Sequence, residues 1–421
     1  MWPNQKKKKK TNKALAVVLC LIAFALSLGL SFVGTVYFTL PNTEELLVTE
    51  EVFYSYEDVE SVSHTKLSGA EGELSVHFLE LGNKYTGDCT YIRYGTTDIL
   101  IDCGSKSSSI SYVSDYLKKY MKDDVIEYCI VTHAHADHYA GFATSGKVKS
   151  LFELFKYETI IDFGSATEKS PTSGALKNYV TKRALAKDAE GNQADHVDVS
   201  TEVKKGENLV YNIGNNGEVK LEILYNYYYD HHVSSSENNY SVCSLITYDE
   251  KTFLFTGDLE EHKSYGETKL LEDNESLQAI KNNGKEYGVD LYKAGHHGSK
   301  TSSSQEFIDA IRPKVVGICC CAGSSEYTKN IDNQFPTQEF INIVGKYTNN
   351  IYVTTLCVDY DNNEFTSMNG NIVIIALKDQ AELGVDCSNN NTILKETEWF
   401  NRIIIVDGVE RPMRVWPEGG K

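Results

Sequence analysis

Ile130 to Gly141 reads IVTHAHADHYAG. A branched, apolar run ends at Thr132, and His133, His135, Asp137 and His138 follow within six residues. Such a run reads as a buried strand, which puts the histidines in the loop at its C-terminal end, where α/β sheets place their ligands. Two residues apart in an extended turn, His133 and His135 point the same way, while Asp137 and His138 stand at a helix start and face a second position. Imidazole nitrogens suit zinc, and a carboxylate added to them suits a hydrolytic metal site. Four donors in six positions are rare in an ordinary polar turn, so the stretch is read as metal-binding.

Outward from this cluster the pattern is one of short strands. LSVHFLEL, CTYIRYG and DILIDCG precede it, then a helix over Ser108 to Met121 and the strand VIEYCIVT. Helix-like stretches follow around Ser150 and Ala175, with Ser165 to Ser200 reading as a polar surface insertion. VKLEILYNYYY, SVCSLITYD and KTFLFTGD resume the strands. After Asp258, helices near Leu270, Phe307 and Phe340 alternate with VDLYKAG, KVVGICC and NIYVTT. Strands first and βα units later, twice over, argue for an α/β fold with two packed mixed sheets. In the last 40 residues NRIIIVD reads as an added edge strand.

The N-terminus has a different character. Lys6 to Lys10 and Lys13 precede Ala14 to Leu40, 27 residues without a charge. A bilayer core needs about 20 apolar residues in a helix, so this segment is long enough to span it with tilt. The lysines keep their end in the cytoplasm and place the remainder outside. A cleaved signal peptide with a small-x-small site at Ala25 is the rival reading, but the apolar run continues 15 residues past that point. The expected organisation is a cytoplasmic basic segment 1–13, a transmembrane anchor 14–40, a stalk 41–70, a hydrolase domain 71–380 and a C-terminal extension 381–421.

Net charge is −18, and setting aside residues 1–40, with six lysines and no acid, leaves −24. That charge repels nucleic acid at long range, and no basic footprint for duplex DNA follows Lys13. Of ten cysteines, Cys20 lies in the apolar segment and no two of the rest form a C-x-x-C pair. A disulfide framework is not indicated. The run Cys319 to Cys321 is read as a strand interior, with a metal or redox feature as the alternative.

The motif H-x-H-x-D-H resembles the metallo-β-lactamase superfamily, and the resemblance extends over roughly Glu73 to Leu377. DILIDCG is similar to the family's early strand, putting Asp102 beside the site as a support. FLFTGD is similar to its later strand, whose Asp258 would bridge two metals. YKAGHHGSKTSSSQEFIDAIRPKVVGI most resembles the ComEC-type branch, the hydrolase domain associated with bacterial DNA-uptake channels and with secreted relatives. That implies an αββα sandwich, a ligand from His296 or His297, and two divalent cations, zinc first and manganese as the alternative. The implied metal ligands are His133, His135, Asp137, His138, Asp258, His296 and His297, with catalytic roles for Asp137, Asp258 and His297.

The sequence also departs from the family. Where a further histidine usually precedes the bridging aspartate, SSSENNYSVCSLITYD offers Asn238 and Ser241. His231 and His232 stand slightly upstream. ELGNKYTGD carries extra residues before Asp88, and NQFP at Asn333 to Pro336 lacks the family histidine. Asp88, Asp102, Asn238, Ser241 and Ser299 are expected to support the site or face substrate. Ser299 to Ser302 suit either a phosphate or the cap of the next helix, and Tyr227 to Tyr229 suit either an aromatic rim or a sheet face.

Two cations about 3.5–4 Å apart lower the pKa of water to about 7 and neutralise charge that develops on phosphate oxygens. The expectation is a membrane-anchored, extracellular dinuclear hydrolase acting on a small or polymeric phosphoester. The alternatives are a non-catalytic, metal-stabilised surface module and a DNA-uptake accessory nuclease. Nothing in the sequence sets the oligomeric state.

Overall fold

The computed structural model describes residues 62, 63, 66–69 and 71–421, apart from 145, 164–173, 232, 233, 235 and 407. The expected basic segment and span, and most of the stalk, lie outside these residues. Among the described residues no helix is long and apolar enough to cross a membrane.

Seven strands come first: β1 (Val62–Ser63), β2 (Glu73–Phe78), β3 (Thr90–Tyr94), β4 (Thr97–Ile101), β5 (Val125–Val131), β6 (Lys156–Asp162) and β7 (Asp195–Asp198). Then come β8 (Leu209–Ile213), β9 (Val219–Leu224), β10 (Cys243–Tyr248), β11 (Lys251–Phe255) and β12 (Leu291–Lys293). β13 (Val315–Ala322), β14 (Ile351–Asp359) and β15 (Glu364–Ser367) complete that run, and β16 (Ile372–Leu377) and β17 (Leu383–Cys387) follow. They form a nine-stranded sheet, β1-β17-β16-β2-β3-β4-β5-β6-β7, and an eight-stranded sheet, β15-β14-β13-β12-β11-β10-β9-β8.

Both sheets are built by the same sequence of moves. β2, β3 and β4 pair antiparallel, then β4 to β7 pair parallel. β8 to β11 pair antiparallel, then β11 to β14 pair parallel. Side chains alternate across each strand, so one face of each sheet meets the other sheet and the opposite face meets helices. Val76, Phe78, Ile92 and Ile130 pack against Leu221, Ile246, Phe253 and Leu291 between the sheets. Outside the first sheet, Tyr91, Leu100 and Cys129 meet Val113 and Leu117 of the helix Ser109–Tyr120, whose buried residues recur at spacings of three and four. Outside the second, Leu254, Tyr292 and Val316 meet Leu270, Phe307 and Phe340 from three helices. Each such large side chain contributes about 1.5–3 kcal/mol by leaving water. The layers are those of an αββα sandwich with two mixed sheets.

Some expectations change. Around Ser150 there is only a single 3-10 turn, Leu151–Glu153, closed by a reciprocal Ser150–Glu153 capping box. The stretch read as a surface insertion contributes β7, the edge of the first sheet. Ile403–Val406 does not join a large sheet; it pairs with Val409–Pro412 in a two-stranded hairpin. Cys319 to Cys321 are strand interior, buried in β13, and the nine described cysteines are all free.

Candidate metal centre

The centre lies where the strands of both sheets end. Asp102 follows β4 in a left-handed conformation (φ 62°), which turns the chain back toward β5. Its carboxylate accepts from Thr132 N at 2.7 Å and Thr132 Oγ1 at 2.8 Å. Asp102 Oδ2 also lies 2.8 Å from His138 Nδ1, so the imidazole presents Nε2 inward, 3.1 Å from Asp258 Oδ2. A carboxylate behind a histidine is how ligating imidazoles are oriented. Gly104 is required here, because a Cβ would sit 1.6 Å from the Asp137 carbonyl oxygen.

From the second half come Asp258, three residues beyond β11, and the pair after β12. His296 and His297 both adopt positive φ (44° and 56°), a conformation uncommon outside glycine and costly enough to mark a functional constraint. It turns His297 inward: Nδ1 lies 2.9 Å from the Cys319 carbonyl and 3.1 Å from Asp88 Oδ1. His297 Nε2 then faces Asp258 Oδ2 at 3.3 Å and Asp137 Oδ2 at 3.5 Å. His296 stays at the edge, with Nε2 3.9 Å from Asp258 Oδ2 and Nδ1 3.0 Å from Thr301 Oγ1.

Asp258 Oδ2 thus faces several imidazoles at once. His138 Nε2 and His297 Nε2 lie 3.1 and 3.3 Å from it, and His133 Nε2 lies 4.0 Å away. His133 is buried and His135 exposed, with His135 Nδ1 3.1 Å from His133 Nε2. Ser241 supports the aspartate: its Oγ accepts from Asp258 N at 3.0 Å, donates to the Asn238 carbonyl at 2.7 Å and lies 3.4 Å from His133 Nδ1. The Asn238 side-chain oxygen is buried without a hydrogen-bond partner.

Other candidates fall elsewhere. Ser299 Oγ meets Thr301, not the carboxylates, and the following helix is capped by Ser304. His231 is exposed and stacks on Tyr227 with centroids 3.9 Å apart, and His232 lies outside the described residues. Tyr228 and Tyr229 are buried core residues.

Sequence reasoning missed Lys293, the last residue of β12. It is 3 % exposed, in contact with Asp88 and 3.8 Å from Asp258 Oδ1. The signal was a lone cation closing the apolar run VDLYKAG. Burial works against its charge, but Asp88 and Asp258 outweigh burial and raise its pKa. Burial also works against the charged form of Asp258, yet the His138 and His297 imidazoles hold the carboxyl well below the usual range. Burial, reinforced by neighbouring His138, keeps the His133 imidazole neutral by pushing it well down.

The donor set fits divalent cations. One ligand atom each from Asp137, His138, Asp258 and His297 lie within 4.8 Å of one another, and so do atoms from Asp88, Asp102 and His138. Asp258 Oδ1 and His297 Nε2 are buried without a hydrogen-bond partner, an arrangement that calls for a further ligand. Burial works against charge on His138 and His297, yet Asp258, with Asp102 and Asp88 beside it, raises both well above the usual imidazole range, and a divalent cation would take the place of those protons.

The sequence profile of the metallo-beta-lactamase superfamily matches residues 82–147. This match supports membership of that superfamily. Its members are typically metal-dependent hydrolases and commonly bind two metal ions. Among solved structures, the chain is similar to the metallo-beta-lactamase fold protein YhfI from Bacillus subtilis, at 14% identity over 53% of this chain and 70% of that one, with a TM-score of 0.29. It is similar to CmlA, a diiron beta-hydroxylase from Streptomyces venezuelae, at 14% identity and TM-score 0.32, over 59% of this chain and 45% of the hydroxylase. A metallo beta lactamase from Hirschia baltica is 14% identical over 48% of this chain and 72% of that chain, with a TM-score of 0.26. No curated protein matches this chain.

Proposed function

We propose that this chain is a dinuclear metal-dependent hydrolase that cleaves a phosphodiester outside the cell, tethered by the apolar segment at residues 14–40. The observation that carries the reading is the convergence of Asp137, His138, Asp258 and His297, drawn from both halves of the chain, with orphaned buried atoms facing inward. Those four residues would hold one cation. His133, His135 and Asp258 would hold the other, with Ser241 beside them where the superfamily pattern has a further histidine. When bound, zinc or manganese makes water acidic at neutral pH and neutralises charge on phosphoryl oxygens.

The chain's own residues do the orienting. Asp102 holds His138, Asp88 and the Cys319 carbonyl hold His297, and Ser241 holds the Asp258 backbone. Exposed His135 and edge residues His296 and Asp137 mark the side from which substrate enters. Thr301, exposed and bonded to His296, offers a hydroxyl to an incoming phosphate. Support for a phosphoester over a lactam comes from the ComEC-type resemblance around HHGS, and the net charge of −24 beyond residue 40 disfavours nucleic acid as the polymer.

The test is hydrolysis of bis-p-nitrophenyl phosphate by the purified full chain, with cation content measured by mass spectrometry. Turnover that follows about two cations per chain is expected. Bound cations without turnover on phosphoesters would favour the non-catalytic module, to which Phe335 in place of the family histidine lends weight. A chain that binds neither zinc nor manganese at micromolar levels would end the reading. Protease digestion of intact cells tests the topology, and a protected domain would place it inside.

A further inference from the structure

The segment after β13 comes back over the candidate centre, and its contacts form a chain from the C-terminal residues to Asp137. Glu326 accepts from Thr86 N at 2.9 Å, fastening the segment to the loop that precedes Asp88. Tyr327 then donates its phenol to Asp137 Oδ2 at 3.0 Å, the same oxygen that faces His297 Nε2. The Tyr327 ring rests on Phe335 with centroids 5.7 Å apart, and Phe335 stands 5.8 Å from the rings of both His296 and His297.

Phe335 is itself held from two sides. Its carbonyl accepts from Gly323 N at 2.8 Å, closing the loop onto the end of β13. Arg414, 1 % exposed, donates to three carbonyls around it: Pro336 at 3.0 Å, Ile331 at 2.9 Å and Gln334 at 2.7 Å. A guanidinium carries five donors in a rigid fork, which lets one side chain fix several backbone groups at once. Tyr327 is 57 % exposed. Much of the residue is thus in water while its hydroxyl end reaches in to Asp137, where burial and the neighbouring carboxylate raise the phenol's pKa.

We propose that Tyr327 is a positioning residue that aims the Asp137 carboxylate at a cation shared with His138, Asp258 and His297, and that Arg414 sets it through Phe335. A carboxylate whose oxygen is fixed by a phenol loses less freedom on binding a cation, and such outer hydrogen bonds govern affinity in metal sites. The inference rests on the cation-binding reading of this same site.

The test compares full-length protein with Tyr327→Phe, both stripped by a chelator. Each is titrated with zinc in competition with a chromophoric indicator, and each is loaded with cobalt for its visible spectrum. The expected result is a cation held about 10–100-fold more weakly by Tyr327→Phe, a changed cobalt band, and an unaltered melting temperature of the stripped protein. Phe335→Leu, which keeps the phenol but removes its support, is expected to weaken the same cation to a smaller degree. Wild-type protein that binds zinc with Tyr327→Phe equal to it within about twofold, against the loss usual for such outer contacts, overturns the role of Tyr327. Wild-type protein that binds no zinc overturns the site itself, a different result.

Discussion

The two halves of the sandwich repeat one plan and differ in how they deliver chemistry. In each, an antiparallel run ends near an aspartate, Asp102 after β4 and Asp258 after β11, and the next parallel strand ends in histidines, after β5 and after β12. The first half concentrates its donors in six consecutive residues. The second spreads Asp258, Lys293, His296 and His297 over 40 positions and closes the site with residues from still later in the chain. The equivalent aspartates also diverge. Asp102 turns both carboxylate oxygens to Thr132 and His138, whereas Asp258 keeps a buried oxygen without a hydrogen bond. One plan thus supplies a support on one side and a candidate bridging ligand on the other.

The strongest test of that asymmetry is Asp258→Ala. Because it faces His133 as well as His138 and His297, it should remove both cations and lower kcat/KM by about 10⁴-fold, some 5.5 kcal/mol of transition-state stabilisation. His133→Ala, which touches one position, should leave one cation bound, as mass spectrometry would register. If both variants lose the same number of cations, Asp258 serves one position only and the comparison breaks.

Lys293→Met comes next. It leaves Asp88 buried without its ammonium, and breaking a buried pair costs about 3–5 kcal/mol. Urea unfolding should show that loss, with the double variant Asp88→Asn/Lys293→Met recovering most of it. Recovery absent from the double variant would mean that Lys293 acts mainly on Asp258.

Asp102→Asn should act more weakly still, reducing cation affinity by about 10–100-fold while leaving stoichiometry intact, since it removes an orienting contact and no ligand. A competition titration distinguishes this from loss of a binding position.

His77 sharpens the contrast from within the first half. It is fully buried on the outer face of β2, against Tyr91 and Tyr116, far from any donor cluster. Burial, aided by Arg93, lowers its pKa to about 3. The unfolded chain therefore binds the proton first as pH falls below about 6.5, and stability declines from there toward pH 3. At pH 5 the loss relative to pH 7 should be roughly 2 kcal/mol, and His77→Gln should flatten that difference in unfolding midpoints.

How much could be read in advance follows from this layout. His133, His135, Asp137 and His138 were legible because four donors stand side by side after an apolar run. The strands around them were legible because alternation and branched residues mark buried β structure without any tertiary information. Lys293 was not, because a single lysine after a strand is ordinary until Asp88 is known to face it. Tyr327 and Arg414 were not, because their partners stand 190 and 80 residues away in the chain. β7 was hidden in a polar stretch because edge strands carry little apolar signal, and the four-residue strand DHVD shows no alternation in burial.

By itself, the sequence determined the repeated order of strands and βα units, the coordinating cluster, and the acidic character of everything beyond residue 40. These depend on side-chain chemistry and local periodicity, which are properties of neighbours along the chain. Only the tertiary structure decided which histidine of the pair turns inward, which aspartate keeps a free oxygen, and what covers the centre. Those outcomes depend on the packing of two sheets and on hydrogen bonds closed across hundreds of residues, where geometry in space takes over from order in sequence.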